Sequence, residues 1–438
     1  MRRLTVLLAL FAALMFAVVA CGGGDDEEAG GTGTEAGAEC GSGSISLMGI
    51  WVSTEQESIQ AVIDAFEEQC PDVNVRYNPA GDNLVTVLAT AVQGGNPPDL
   101  ATIAQPATVA EYVDQGELQP IDFAAETVGE NYSADLVEQG TFDGQLYGFF
   151  FKGANKSTVW YNVPVFEDAG VEPPETWEDF LTAAETLKAS GVPAYSIGGA
   201  DGWTLTDLFE NIYLRTAGPD MYDQLAAHEI PWTDQSVKDA LTEMAKIFSD
   251  TDNIAGGTQG ALQTDFPTSV TNAFGDPSEA AMVVEADFVA TEILNSTEAE
   301  AETGFNVFTF PSINDSPPSV VGGGDMVVMF KDNPAARAFV QFLATPEAAE
   351  IWVQRGGSSP NKNVDENAYP DAITRSTATA LAQAETFRFD LSDLQPSAFG
   401  GTVGQGLFKL FQDFLANPDD VDGIAQQMED EAAKAFGG

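Results

Sequence analysis

From residue 45 to residue 116 short apolar runs alternate with amphipathic helical segments, and this alternation restricts the fold more than any other feature of the chain. Residues 45–51 are apolar and β-branched and read as a central strand. Thr54 and Glu57 have the spacing of a capping box, and Ile59, Val62, Ile63 and Phe66 then share one helical face. Residues 73–77 alternate as a second strand. Asp82 is placed to cap a helix that carries Leu84, Leu88, Ala91 and Val92 and stops at Gly94-Gly95. Residues 99–103 form a third strand after Pro97-Pro98, and a helix over 107–115 stops at Gly116. The pattern continues with a long strand-like stretch over 149–161, strands over 281–285, 305–310 and 325–330, and a mainly helical C-terminal third. Repeated β-α-β units predict the α/β class. The body, 44–438, is too long for one ordinary core and suits two domains.

The N-terminus has a different character. Arg2 and Arg3 precede an apolar run over 4–20 that ends in Val18-Val19-Ala20-Cys21. A basic start, a short apolar stretch and a small residue before the cysteine read as a secretory signal. The arrangement resembles a bacterial lipoprotein signal, which implies cleavage of residues 1–20 and a lipid on Cys21. An ordinary signal cut elsewhere and an uncleaved anchor are the alternatives. Residues 21–43 are nearly all Gly, Thr, Ala, Glu and Asp, with no aromatic residue. Such a segment buries too little apolar surface to order itself and reads as a flexible tether. The expected location is the extracytoplasmic face of the cell membrane.

The chain carries 17 basic residues against 68 acidic ones. That balance excludes nucleic acid and anionic membrane surfaces as partners. It fits a saline habitat, where salt screens self-repulsion, and equally an acidic exported protein. Cys40 lies just before the first strand and Cys70 ends the helix after it, so a β-α unit brings both to one end of the sheet. They form either a disulfide or two buried thiols. The single histidine, His228, has no serine motif nearby, and no His/Cys cluster has zinc-ligand spacing. No cofactor or metal is expected.

Several short motifs then fall in a recognisable order. Gly95-Asn96-Pro97-Pro98-Asp99 is followed by Gly116-Glu117-Leu118-Gln119-Pro120-Ile121. Asp143-Gly144-Gln145-Leu146-Tyr147-Gly148 leads to Trp160-Tyr161-Asn162, Ala169-Gly170 and Pro173-Pro174-Glu175-Thr176-Trp177. Residues 338–343 precede Thr345-Pro346-Glu347-Ala348. Together these resemble the extracellular solute-binding proteins, family 1, of carbohydrate ABC importers. Gly322-Gly323-Gly324-Asp325 and residues 386–390 make the chain most similar to the α-glucoside-binding members. One departure is Phe149-Phe150-Phe151, where the family often places a proline.

The resemblance implies a two-lobed periplasmic-binding-protein-like fold of type II, each lobe a mostly parallel sheet flanked by helices. Lobe 1 would comprise 44–151 and 306–360, and lobe 2 would comprise 152–305 and 361–438. The chain would cross near Phe151, Phe305 and Pro360. It also implies a monomer that delivers a neutral sugar, such as an α-glucoside di- or oligosaccharide, to the transmembrane subunits of an importer.

Sugars present hydroxyl edges and flat C–H faces, so a site for them needs carboxylates or amides and aromatic platforms. Trp51 and Glu55 flank the turn after the first strand, and Gln105 sits at the same end of a later one. Lys152, Asn155 and Lys156 lie on the expected crossing strand. Trp203 stands in a glycine-containing loop ahead of Asp207. Glu285 and Asp287 end a strand, Asp325 follows three glycines, and Arg388 and Asp390 lie in a C-terminal loop. Each acid reads equally as a solvated surface carboxylate, and Trp203 equally as a packing residue. No catalysis is expected. A glycoside hydrolase, which needs only two carboxylates, is the enzymatic alternative.

Overall fold

The computed structural model describes residues 40–437. The expected signal, the lipidated Cys21 and the tether to residue 39 lie outside the described residues. The tether's last residues belong to the body: Cys40 is disulfide-bonded to Cys70, with 5.6 Å between Cα atoms, and the first strand begins at Gly43.

The strands are β1 (Gly43–Gly49), β2 (Val73–Pro79), β3 (Leu100–Ile103), β4 (Thr141–Phe142), β5 (Gln145–Leu146), β6 (Gly148–Asn155), β7 (Thr158–Asn162), β8 (Met282–Val284), β9 (Phe305–Thr309), β10 (Val320–Met329) and β11 (Phe387–Phe389). A six-stranded sheet has the order β11-β10-β3-β1-β2, with β6 also paired to β10. A three-stranded sheet has the order β8-β7-β9, and β4 and β5 form a hairpin. β1 runs parallel to β2 and β3, whereas β10 is antiparallel to β3 and β6. In the second sheet β7 is antiparallel to both neighbours. The parallel character expected of each lobe therefore describes β1 to β3 and the pair β10–β11, while the pairing of β10 with β3 and β6 and the whole second sheet depart from it.

Each sheet has its own core. All four residues of β3 are buried, as expected of a strand covered on both faces. Alternation sends Phe149 and Phe151 into the core on one face, with Leu47, Ile63, Phe66 and Trp352, and Phe150 into the core on the other, with Leu88, Ile103 and Val328. A separate core gathers Phe180, Phe209, Tyr213, Phe411 and Phe414 from helices around the second sheet, with Trp232 from a turn between two of them.

Local sequence signals were redirected in places. The helix Ser53–Gln69 has no side-chain cap; Thr54 Oγ1 instead donates to Glu292 at 3.0 Å. Asp82 lies in the turn Gly81–Asn83 and does not cap the helix Leu84–Gln93. By contrast Thr176 caps the helix Trp177–Ser190, which stops at a left-handed Gly191.

The crossings between sheets fall later than expected. β6 and β7 divide the single strand predicted over 149–161, and they part at Lys156-Ser157. β9 stays in the second sheet to Thr309, and the chain rejoins the first only at Val320. Past Pro360, Tyr369 still packs in the first core, Ile373 packs against the second sheet, β11 joins the first sheet, and Leu391 enters the second core. The chain thus passes between the sheets at 156–157, at 310–319 and over a third stretch that begins after Tyr369 and ends at 390–391. Burial does not separate β6 from β7, which are buried along their whole lengths; the polar run Asn155-Lys156-Ser157-Thr158 marks the change of sheet.

Candidate ligand-binding site

A cleft of about 1060 Å³, counting its opening to solvent, lies where the ends of the strands of the first sheet meet the helices of the second lobe. On the first side it is lined by Glu55 after β1, Asp82 after β2, Gln105 after β3, Lys152 on β6 and Asp325 on β10. Trp203, Phe266, Phe288 and Phe408 form the facing wall, with Asp201 at its edge. Asp390, Ser392 and Asp393 close the cleft from the loop after β11.

The aromatic wall is a packed unit. Ring centroids lie 5.3 Å apart for Trp203 and Phe266, 5.8 Å for Trp203 and Phe288, and 5.2 Å for Phe266 and Phe288. Gly202 makes this possible: its φ is +85°, and a Cβ there would meet Phe408 Cβ at 2.6 Å.

Two lysines each pair with two acids, Lys152 with Glu55 and Asp325 and Lys156 with Asp207 and Asp390. Lys152 Nζ is 2.6 Å from Glu55 Oε1, 3.6 Å from Asp325 Oδ2 and 4.6 Å above the Phe288 ring. Burial opposes the Lys152 charge, but Glu55 and Asp325 outweigh it and raise the ammonium above its ordinary value. Burial pushes the Glu55 carboxyl up against the pull of Lys152. Lys156 Nζ is 3.0 Å from Asp207 Oδ1 and also pairs with Asp390. Burial opposes the charge on Asp390, yet Lys156 holds that carboxyl down at about 2. Burial pushes Asp207 up to about 7 despite the same lysine. Asp207, Glu210 and Asp390 have the spacing of a metal nest, but the Lys156 ammonium already supplies the cation between Asp207 and Asp390.

Two of the three glycines before Asp325 serve these lysines. All three lie inside β10, and Gly322 packs against Phe387. A Cβ on Gly323 would meet Lys156 Cε at 3.0 Å, and one on Gly324 would meet the Lys152 carbonyl oxygen at 2.5 Å.

The cleft edge has no such balance. Asp82 and Asp201 hydrogen-bond to each other from opposite walls, and neither is ion-paired among the described residues. Burial, and then the Asp82 charge, push Asp201 up to about 7, although its Oδ2 accepts the Phe266 N–H at 2.6 Å. Two facing carboxyls resist ionising together, so the last proton of the pair leaves only as pH approaches 7.

Of the residues singled out from sequence, Glu55, Gln105, Lys152, Lys156, Trp203, Asp325 and Asp390 line this cleft, whereas Asn155 is buried and donates to the Thr377 carbonyl at 3.2 Å. Trp51 does not. It is packed between Trp352 and Phe151, and its indole N–H donates to Asp325 Oδ2 at 2.5 Å. It orients a cleft carboxylate and offers no platform. Asp207 sits behind Lys156. Glu285 faces a separate small cavity with Tyr195 and Ser196. Asp287 is buried, and its Oδ2 accepts the Ser358 hydroxyl at 2.7 Å. Arg388 pairs with Asp223 at 2.6 Å, away from the cleft. Alternation in β11 explains Arg388, since Phe389 claims the buried face. Sequence reasoning missed Asp82, Asp201, Phe266, Phe288, Asp393 and Phe408. Asp201 carried a usable signal, two residues before Trp203. The phenylalanines carried none, because core and cleft phenylalanines look alike in sequence.

A cleft between two α/β lobes, walled by aromatic rings and rimmed with carboxylates, defines a solute receptor of the periplasmic-binding-protein fold. Residues 51–350 match the bacterial extracellular solute-binding proteins, and the chain belongs to that family. The family and fold are those of non-catalytic binding proteins. The chain is 33% identical over 372 residues to the osmoprotective compounds-binding protein GgtB of Synechocystis sp., covering 83% of this chain and 87% of that one. It is 32% identical over 379 residues to the alpha-glucosides-binding periplasmic protein AglE of Rhizobium meliloti, covering 83% and 81%. Its fold matches the bacterial solute receptor AcbH with a TM-score of 0.79 at 20% identity, over 90% of this chain and 100% of that one.

Proposed function

We propose that the protein captures a neutral saccharide in this cleft and passes it unaltered to the transmembrane subunits of an ABC importer. The observation that carries the reading is the aromatic wall of Trp203, Phe266, Phe288 and Phe408 set opposite Glu55, Gln105 and Asp325. Rings suit the C–H faces of a sugar, and carboxylates and amides suit its hydroxyls. Both lysines are engaged by carboxylates, so the cleft offers an anionic ligand no free cation. The likeness to AglE supports an α-glucoside di- or oligosaccharide as the ligand. The likeness to GgtB supports a second reading, a polyhydroxylated osmoprotective solute, which also fits the acidic composition. A lipid on Cys21 would hold the monomer at the outer face of the membrane.

Calorimetry against a panel of α- and β-linked di- and oligosaccharides and osmoprotective polyols tests the reading. Binding of an α-glucoside with full recovery of the ligand by mass spectrometry is the expected result. Silence across the panel, or hydrolysis of the bound sugar, refutes it. Replacing Cys21 by serine should move the protein from the membrane to the soluble fraction; unchanged membrane association refutes the anchor.

A further inference from the structure

The helix Trp203–Ala217 carries Asp207, Glu210, Asn211 and Arg215 at spacings that place them along one side. All four are buried, none more than 5% exposed. Buried polar groups persist only where they are partnered, and the partners here are the three segments that pass between the sheets. At the first crossing, Asp207 Oδ1 accepts from Lys156 Nζ at 3.0 Å, and Asn211 Nδ2 donates to the Lys156 carbonyl at 2.7 Å. Ser157 Oγ donates to Asn211 Oδ1 at 2.5 Å. At the second, Arg215 donates to the Ser319 carbonyl at 2.9 Å and lies 4.8 Å over the Phe310 ring. At the third, Glu210 accepts the Leu391 N–H at 2.8 Å and the Ser392 N–H at 3.0 Å. The Tyr222 hydroxyl lies between Glu210 Oε2, at 3.1 Å, and the Phe389 carbonyl, at 3.0 Å. Lys156 also pairs with Asp390, which joins the first crossing to the third. Val321 N donates to Ser157 Oγ at 2.9 Å, joining the first to the second.

The same helix begins at Trp203, on the cleft wall. Glu210, Asn211 and Arg215 are absent from the cleft lining, so none of them touches a ligand directly.

We propose that this buried polar side is a clamp on all three crossings, and that Glu210, Asn211 and Arg215 are positioning residues for ligand capture. The clamp makes the wall at Trp203 and the crossing segments move as one piece. Contact with a ligand at the wall then becomes lobe closure, because hinge rotation is confined to the few residues the clamp leaves free. The proposal rests on the saccharide-capture reading and adds the elements that transmit it.

Glu210→Gln keeps the shape but replaces one acceptor oxygen by an amine that faces a backbone N–H. The expected results are faster amide exchange at Leu391 and Ser392, a broader distance distribution between dyes on exposed Glu68 and Asp239, and saccharide affinity weaker by about tenfold. Arg215→Lys keeps a donor for Ser319 and should shift dye distances and affinity the same way but less, which covers failure of the first variant to fold. A merely structural role would lower the melting temperature and leave affinity and the liganded dye distance as in the wild type; that result overturns the clamp. If the wild-type protein closes on no saccharide in the panel, the functional reading fails separately. Unliganded dye distances and amide exchange still decide the clamp in that case, and their being unchanged in Glu210→Gln overturns it.

Discussion

Replacing Asp201 by asparagine should stabilise the unliganded protein most above neutral pH, less at pH 5 and not below pH 4. Asp82 and Asp201 meet across the cleft edge without an ion-pair partner among the described residues. A carboxyl moved from 3.8 to about 7 has lost ~4 kcal/mol of ionisation free energy. Asp201 is partly open to the water of the cleft, and screening reduces that figure to ~1–2 kcal/mol. The sign follows from proton binding. The folded carboxyl holds its proton more tightly than the unfolded one, so its contribution to stability is full below pH 4 and is lost as pH rises toward 7. Asparagine keeps the shape and the acceptor for the Phe266 N–H but cannot ionise, so the penalty at pH 8 disappears. The assay is urea denaturation of wild type and Asp201→Asn at pH 5 and pH 8, in low and high salt. A gain clearly larger at pH 8 than at pH 5, and one that shrinks with salt, is the expected outcome. Equal effects at both pH values, or no gain at pH 8, would refute this account of the pair.

Trp203→Ala should weaken saccharide binding by ~1–3 kcal/mol in calorimetry, and an unchanged dissociation constant would return the ring to a packing role. Asp325→Asn should cost ~1–3 kcal/mol in affinity and also lower the melting temperature without ligand, because the carboxylate accepts the Trp51 N–H and helps balance Lys152; full stability in the variant would contradict that double role. Reducing the Cys40–Cys70 bond, whose ends are 30 residues apart, should remove ~3–4 kcal/mol of stability, and a melting temperature indifferent to reductant would show the loop is already constrained.

Much of the cleft's first side was legible because local chemistry and chain position coincide there. Glu55 and Gln105 follow strands of the first sheet, where open α/β sheets place their ligands. The same rule named Trp51, and there it failed. The tryptophan's large apolar body is buried in the first core beside Trp352, and only its N–H reaches toward the cleft. Glu285 and Asp287 failed for a related reason: a strand end marks a position along the chain but not the side of the sheet on which the ligand lies.

The sequence by itself determined the α/β class, the order of elements, the two-core division and the family, because periodicity, turn residues and motif order are written within short stretches of chain. It also placed Cys40 and Cys70 close enough to bond. Only the tertiary structure decided that β6 and β7 belong to different sheets, that Gly323 and Gly324 make room for two lysines, and that Asp82 meets Asp201 in place of capping a helix. Those outcomes join residues far apart in the chain, and a side chain's nearest charge or ring, which sets its ionisation and its role, is fixed only when the lobes are packed together.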